Sequence, residues 1–174
     1  MLGRCRTAII LLATFAFILA FALPSQAVLR IFGGVVKKVA DEDTLTVAIR
    51  DAAQLRVRLY GIDAPEIRHE KKPAQPYGEE AKAVLMALTL GKTVKVEIIE
   101  IDRYKRIVGI VHENDLNINR QLVKNGYAWA YREYLKGAYA SEFINFERQA
   151  REKHLGLWQQ SNPTPPWEYR RRNC

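Results

Sequence analysis

The stretch RLYGIDAPE, residues 58–66, places Arg58, Asp63 and Glu66 at the end of what reads as a buried strand. Charged side chains enter such surroundings only when they are paired or bound to an ion. Two answers stand open: an ordinary ion pair between Arg58 and Glu66, worth little at a surface, or a cluster assembled for catalysis. Other residues carry the same ambiguity. Asp41 and Asp43, in DEDT at 41–44, either cap a turn or supply carboxylates to a site. Tyr104, Tyr131 and Tyr134 either stack bases or pack against the fold, and Trp129 reads as packing. The run Arg170–Arg172 either contacts phosphates or is a solvated basic terminus. His69, His112 and His154 are scattered without a second ligand at metal spacing and carry no role.

The elements that must position these groups follow from periodicity. VLRIFGGVVKKVA reads as a strand with a bulge or bend at Gly33 and Gly34. DEDTLTVAI runs from an acidic turn into a second strand, with Leu45, Val47 and Ile49 alternating with polar or small partners. After a turn at RDAAQ, Leu55, Val57 and Leu59 alternate against Arg56, Arg58 and Tyr60, so the three strands form an antiparallel meander. Arg68–Gly78, with Pro73 and Pro76, reads as a loop. GEEAKAVLMALTLGK is a helix stopped at Gly91. TVKVEIIEID and IVGIVHE flank the tight turn DRYKR and make a hairpin over 93–112. DLNINRQLVKNG and EFINFERQAREKHLG are helices ending at Gly126 and Gly156, and AWAYREY between them is irregular. Trp158 closes the core, and the tail SNPTPPWEYRRRNC is extended. Five short antiparallel strands with a helix between the third and fourth have the composition of an OB-type barrel. The fold class is therefore α+β, mainly β.

The first 27 residues have a different character. A basic MLGRCR, 17 apolar residues through Leu23, and PSQA ending at Ala27 make a secretory signal peptide cleaved after Ala27. An uncleaved anchor over residues 1–23 is the alternative. The domain plan is then signal peptide 1–27, one domain 28–160, and a Pro/Arg-rich tail 161–174. The net charge of +8 suits a polyanionic partner. Cys5 leaves with the signal peptide and Cys174 is terminal, so the mature chain has no internal disulfide and relies on its core.

Six segments occur in one order: DEDT at 41–44, RLYGIDAPE at 58–66, YGEEAK at 77–82, DRYKR at 102–106, LVKNGYAW at 122–129 and HLGLW at 154–158. Over roughly Val35–Trp158 the chain resembles the staphylococcal nuclease (thermonuclease) family. The resemblance implies a five-stranded OB-fold barrel with three helices and a calcium-dependent phosphodiesterase, acting on DNA and RNA and leaving 3′-phosphate ends. It implies metal ligation (Ca2+) by Asp43, Asp63 and the Ala64 carbonyl, and catalysis by Arg58, Glu66 and Arg106. It places Tyr104 and Tyr131 beside the nucleotide. Glu42 and Lys105 stand where the family often has glycine, and a positive φ at Glu42 would be costly.

These residue types suit the chemistry. A phosphodiester repels nucleophiles until its charge is neutralised, and water must be held in line with the leaving oxygen. Calcium takes oxygen ligands and tolerates irregular geometry. The planar fork of arginine grips two phosphate oxygens and stays charged. Glu66 is suited to accepting a proton from water or orienting it. The expected protein is an exported monomer, secreted or periplasmic, without stable membrane association after cleavage. The competing reading is a non-catalytic OB-fold module that binds single-stranded nucleic acid, which needs a basic groove but not three acids.

Overall fold

The computed structural model describes residues 30–49, 53–68 and 73–172. The expected signal peptide at 1–27, His69, Cys174 and most of the RDAAQ segment lie outside the described residues. Strands β1 (Arg30–Val39), β2 (Thr44–Ala48) and β3 (Gln54–Leu59) form the expected antiparallel meander. The first half of β1 pairs with β5 (Thr93–Ile101) and its second half with β2. The hairpin of β5 and β6 (Ile107–Glu113) is as its sequence predicts. Strand β6 then returns to β3 in a parallel pairing, Val57–Leu59 against Ile107–Gly109, and closes a five-stranded barrel. The strands are thus mixed rather than all antiparallel, because closure joins the meander and the hairpin edge to edge. Val36, Leu45, Val47, Val57, Leu59, Val96 and Ile110 fill the interior.

The bulge in β1 falls between Val36 and Lys38, not at Gly33 and Gly34, which pair continuously with Lys95 and Val94. Gly34 serves close approach instead: a Cβ there would lie 2.7 Å from Val47 Cγ1. Tyr60, expected to face outward with Arg56 and Arg58, is buried, and its hydroxyl accepts from the Lys136 amide at 3.0 Å.

Helix α1 (Gly78–Thr89) buries Ala81 and Leu85 and carries Glu79 and Glu80 in its first turn, where acids complement the helix dipole. The segment read as one helix after Asp115 is a two-residue strand, β7 (Leu116–Asn117), followed by α2 (Ile118–Lys124). The Asn117 side chain accepts from the Arg120 amide at 2.9 Å and caps it. Inside the barrel wall, Asn119 donates to the carbonyls of Tyr60 and Gly109 and accepts from the Val111 amide. One buried side chain therefore ties α2 to β6 and to the turn that follows β3. Helix α3 spans Gly137–Glu152, starting earlier than its apolar pattern suggests, and a 3-10 turn follows at Gly156–Gln159. The tail is not extended: Pro166–Arg172 forms a fourth helix, α4.

Two short strands matter more than their length suggests. Within AWAYREY, β8 (Trp129–Ala130) pairs with β4 (Ile62–Asp63), setting Asp63 opposite Trp129. Among the described residues no helix is long and apolar enough to cross a membrane.

Candidate active site

Asp43 ends the turn that enters β2, and Arg58 lies near the end of β3. The ladder pair Thr44–Arg58 and the Leu59 amide bonded to the Asp43 carbonyl at 2.9 Å set the two side by side. The chain then turns at Gly61, whose φ of 70° suits glycine, and Asp63 comes back beneath Arg58. The guanidinium bridges the two acids, ion-paired to Asp43 and 3.1 Å from Asp63 Oδ1. Both acids are buried, at 3% and 0% exposure. The Thr44 hydroxyl donates to Asp43 Oδ1 at 2.9 Å. Burial works against the Arg58 charge, but Asp43 and Asp63 outweigh it and hold the guanidinium above its usual pKa. Burial pushes the Asp63 carboxyl up, and Asp43 adds to the shift against the pull of Arg170 and Arg58. Asp41 is raised by burial and by Asp43.

Glu42 is not solvated, and its φ is not positive. The backbone that would have penalised glutamate is not the one it adopts. Its Oε2 is buried without a hydrogen-bond partner. Burial, then the charges of Asp43, Asp41 and Glu66, push its carboxyl up to about 9.

Glu66 is fixed through its backbone. Its amide donates to Gln75 Oε1 at 3.0 Å and its carbonyl accepts from the Gln75 amide at 2.8 Å. The start of α1 sits against the same carbonyl, where Gly78 leaves no room for a side chain: a Cβ would lie 2.9 Å from the Pro65 carbonyl oxygen. Ala64 is fully buried beside Asp63.

Arg106 borders the same cleft, of about 670 Å³, with Asp43, Arg58, Glu66 and Tyr131. Its guanidinium is held by Asp102 at 2.7 Å rather than by the central acids. Asp102 Oδ1 also accepts from the amides of Tyr104 and Arg106, closing the hairpin tip. Backbone hydrogen bonds there hold the Asp102 carboxyl below its ordinary range against burial. Lys105 occupies a left-handed φ of 60°, the conformation glycine would take without strain. Tyr104 is 62% exposed at this tip, with the Arg103 and Arg106 guanidinium groups over its ring.

Tyr131 follows β8, and its amide bonds to the Gly61 carbonyl at 2.9 Å, so the β4–β8 ladder brings it beside Asp63. Glu147, buried in α3, accepts from the Ala130 amide at 2.8 Å and from Arg151. Trp129 packs with Trp158, as expected of a core residue.

The structure therefore gathers Asp43, Arg58, Asp63 and Glu66, with Ala64 behind them, and sets Arg106, Tyr104 and Tyr131 around the rim. Two participants escape sequence reasoning. Gln75 sits in a loop with no pattern. Arg170 reaches in from α4, donating to both oxygens of Asp63 at 3.1 and 2.8 Å and to Glu66 Oε1 at 2.6 Å. Only its place in a basic tail hints at an anionic partner. Among the described residues no three or more His, Cys, Asp or Glu side chains form a ready metal cage; the acids are turned onto guanidinium groups.

A small closed barrel whose mouth carries paired acids and arginines is a form shared by many proteins, and comparison narrows it. Residues 56–160 match the family model described as staphylococcal nuclease homologue. A micrococcal nuclease of Shigella flexneri is 37% identical over 165 residues, covering 90% of this chain and 88% of its own length. The protein ParB of Escherichia coli is 36% identical, covering 88% and 86%. A probable staphylococcal-like nuclease of Oryza sativa, CAN2, is 41% identical over 120 residues. The chain spans about 30% of the length of that plant protein. The chain belongs to the staphylococcal nuclease family.

Proposed function

We propose that the protein is an exported, calcium-dependent phosphodiesterase that cuts DNA and RNA and leaves 3′-phosphate ends. One observation carries the reading: Asp43, Asp63 and Glu66 meet at Arg58 and Arg170 in a single cleft whose edge holds Arg106. A module that only binds strands needs basic and aromatic groups, not buried acids.

The donor set fits a hard cation. Every group is an oxygen, and the buried Glu42 carboxyl, which feels the charge of Asp43, keeps an oxygen without a hydrogen-bond partner. Asp43, Asp63 and the Ala64 carbonyl would hold calcium, which when bound neutralises the phosphate and raises its reactivity. Arg58, immobilised between two acids, presents its remaining donor surface to a phosphate oxygen. Arg106, oriented by Asp102, offers a second fork from the opposite rim. Glu66, held by Gln75, accepts a proton from the attacking water or orients it. Tyr131 and Tyr104 flank the bases, and contacts to phosphate and ring faces give little sequence preference. Removal of residues 1–27 would release the enzyme into the periplasm or exterior, which N-terminal sequencing of protein recovered from cells checks.

The direct test is cleavage of single-stranded DNA in calcium and in chelator, beside Arg58→Ala and Glu66→Ala. Expected is cutting that requires the metal and falls at least about a hundredfold in either variant. Equal rates in chelator, or in both variants, exclude the mechanism, and retained binding without any cleavage favours the module.

A further inference from the structure

Residues 161–172 lie beyond the family match over 56–160, yet they reach the cleft, where Arg170 is part of the lining. Two tethers hold them. Gln75 Nε2 donates to the Thr164 carbonyl and the Tyr169 hydroxyl to the Pro73 carbonyl, both at 3.0 Å. Beside these anchors, α4 sends two side chains into the site. Trp167 lies parallel to Tyr131, with ring centroids 5.2 Å apart and planes 2° from parallel. Arg170 grips Asp63 through both terminal guanidinium nitrogens and Glu66 through one of them.

We propose that residues 163–172 form an autoinhibitory strap: Arg170 competes with the divalent metal for Asp63 and ties up the Glu66 carboxylate, and Trp167 competes with a nucleobase for the face of Tyr131. The inference rests on the functional reading above and deepens it.

The competition is steric and electrostatic. A calcium ion needs its carboxylate oxygens at about 2.3–2.6 Å. The Arg170 nitrogens stand 2.8 and 3.1 Å from the two Asp63 oxygens, so a second cation on the same oxygens meets a guanidinium at contact distance. Arg58 already stands 3.1 Å from Oδ1, so Arg170 takes the remaining access to Asp63, Oδ2 included, that a metal would need. The Trp167 ring covers Tyr131 in the offset-parallel arrangement that an aromatic base would adopt. One short helix thus occupies a cation position and a stacking position together.

The strap is also built to leave. Of α4 only Pro166 is fully buried, and Arg170 is 36% exposed on its side chain. A cavity of about 130 Å³ lies among the strap, Pro65, Gln75 and Trp129, so the seat is incompletely packed. Segments with few buried apolar contacts open locally without unfolding the domain. The apparent metal affinity is then the intrinsic affinity reduced by the fraction of molecules with the strap open. By reciprocity, metal must favour the open strap.

Titration calorimetry with calcium chloride alone, without nucleic acid, tests this on the whole protein, beside Arg170→Ala and Arg170→Gln. Both variants should bind calcium at least about fivefold more tightly. In the unaltered protein, calcium should speed hydrogen exchange of the amides in 167–172, a readout that no variant's folding can disturb. Calcium affinity unchanged or weaker in both variants, or exchange in 167–172 unchanged or slowed by calcium, overturns the strap. Binding that is equal in all three proteins overturns the strap alone. No calcium binding by any of them overturns the strap and the functional reading together.

Discussion

Arg58 holds two buried acids with a single planar group, and that geometry gives it a part in both folding and chemistry. Its fork spans Asp43 and Asp63 at once, a reach that a lysine ammonium, a point charge on a flexible stem, does not reproduce. Arg58→Lys should therefore keep the charge yet lose about a hundredfold in single-turnover cleavage, with a lowered Tm by calorimetry because a lysine spans only one of the two buried acids and the other loses an ion pair. Lysine at wild-type rate would show that charge alone suffices. The positions of Asp43, Arg58, Asp63 and Glu66 are legible from residue types and motif order, because each sits at the end of a strand or turn that the pattern defines. Arg170 is not. Its partners are 104 and 107 residues away, and a proline- and arginine-rich tail has the composition of a solvated terminus. Glu42 hides for the opposite reason: an acid in a turn reads as exposed, and its burial comes from how the cleft wraps the turn.

Elements place these groups by close approach rather than by side-chain bonding alone. The start of α1 presses its backbone against Glu66, and Gly78 makes that approach feasible. Gly78→Ala should cost about 1–3 kcal/mol through overpacking, and it should lower kcat by shifting Glu66 while leaving α1 helical by circular dichroism. A variant with the wild-type kcat would separate Glu66 from the helix. Here too sequence and structure part in an understandable way. Amphipathic α1 and the β5–β6 hairpin are legible because their periods extend over many residues. The strands β4, β7 and β8 are two residues each, too short to show any period, although the β4–β8 ladder is what delivers Tyr131 to Asp63. The parallel closure of β3 on β6 is set by packing between distant segments, and alternation within either strand is silent about it.

At the scale of the whole molecule the chain is basic, +8 overall, while Asp41, Glu42, Asp43 and Glu66 all line its cleft. Burial and repulsion by Asp43 push the Asp41 and Glu42 carboxyls up, and a bound cation should stabilise the native barrel alone, since the unfolded chain does not hold Asp43 and Asp63 together. For a site in the ~10⁻⁴–10⁻³ M class, 10 mM calcium, about 10–100 times the dissociation constant, adds about 1.4–2.7 kcal/mol. In a domain of this size that raises Tm by about 3–10 °C. Scanning calorimetry in 10 mM calcium chloride, against chelator with sodium chloride at matched ionic strength, measures it. Matching the salt removes simple screening, which would relieve the same repulsion without a site. Asp43→Asn should abolish the calcium increment while leaving the response to sodium. A calcium increment that survives in Asp43→Asn would place the ion elsewhere on the molecule. No increment in the parent protein would leave the acids at the barrel mouth as partners of arginine alone.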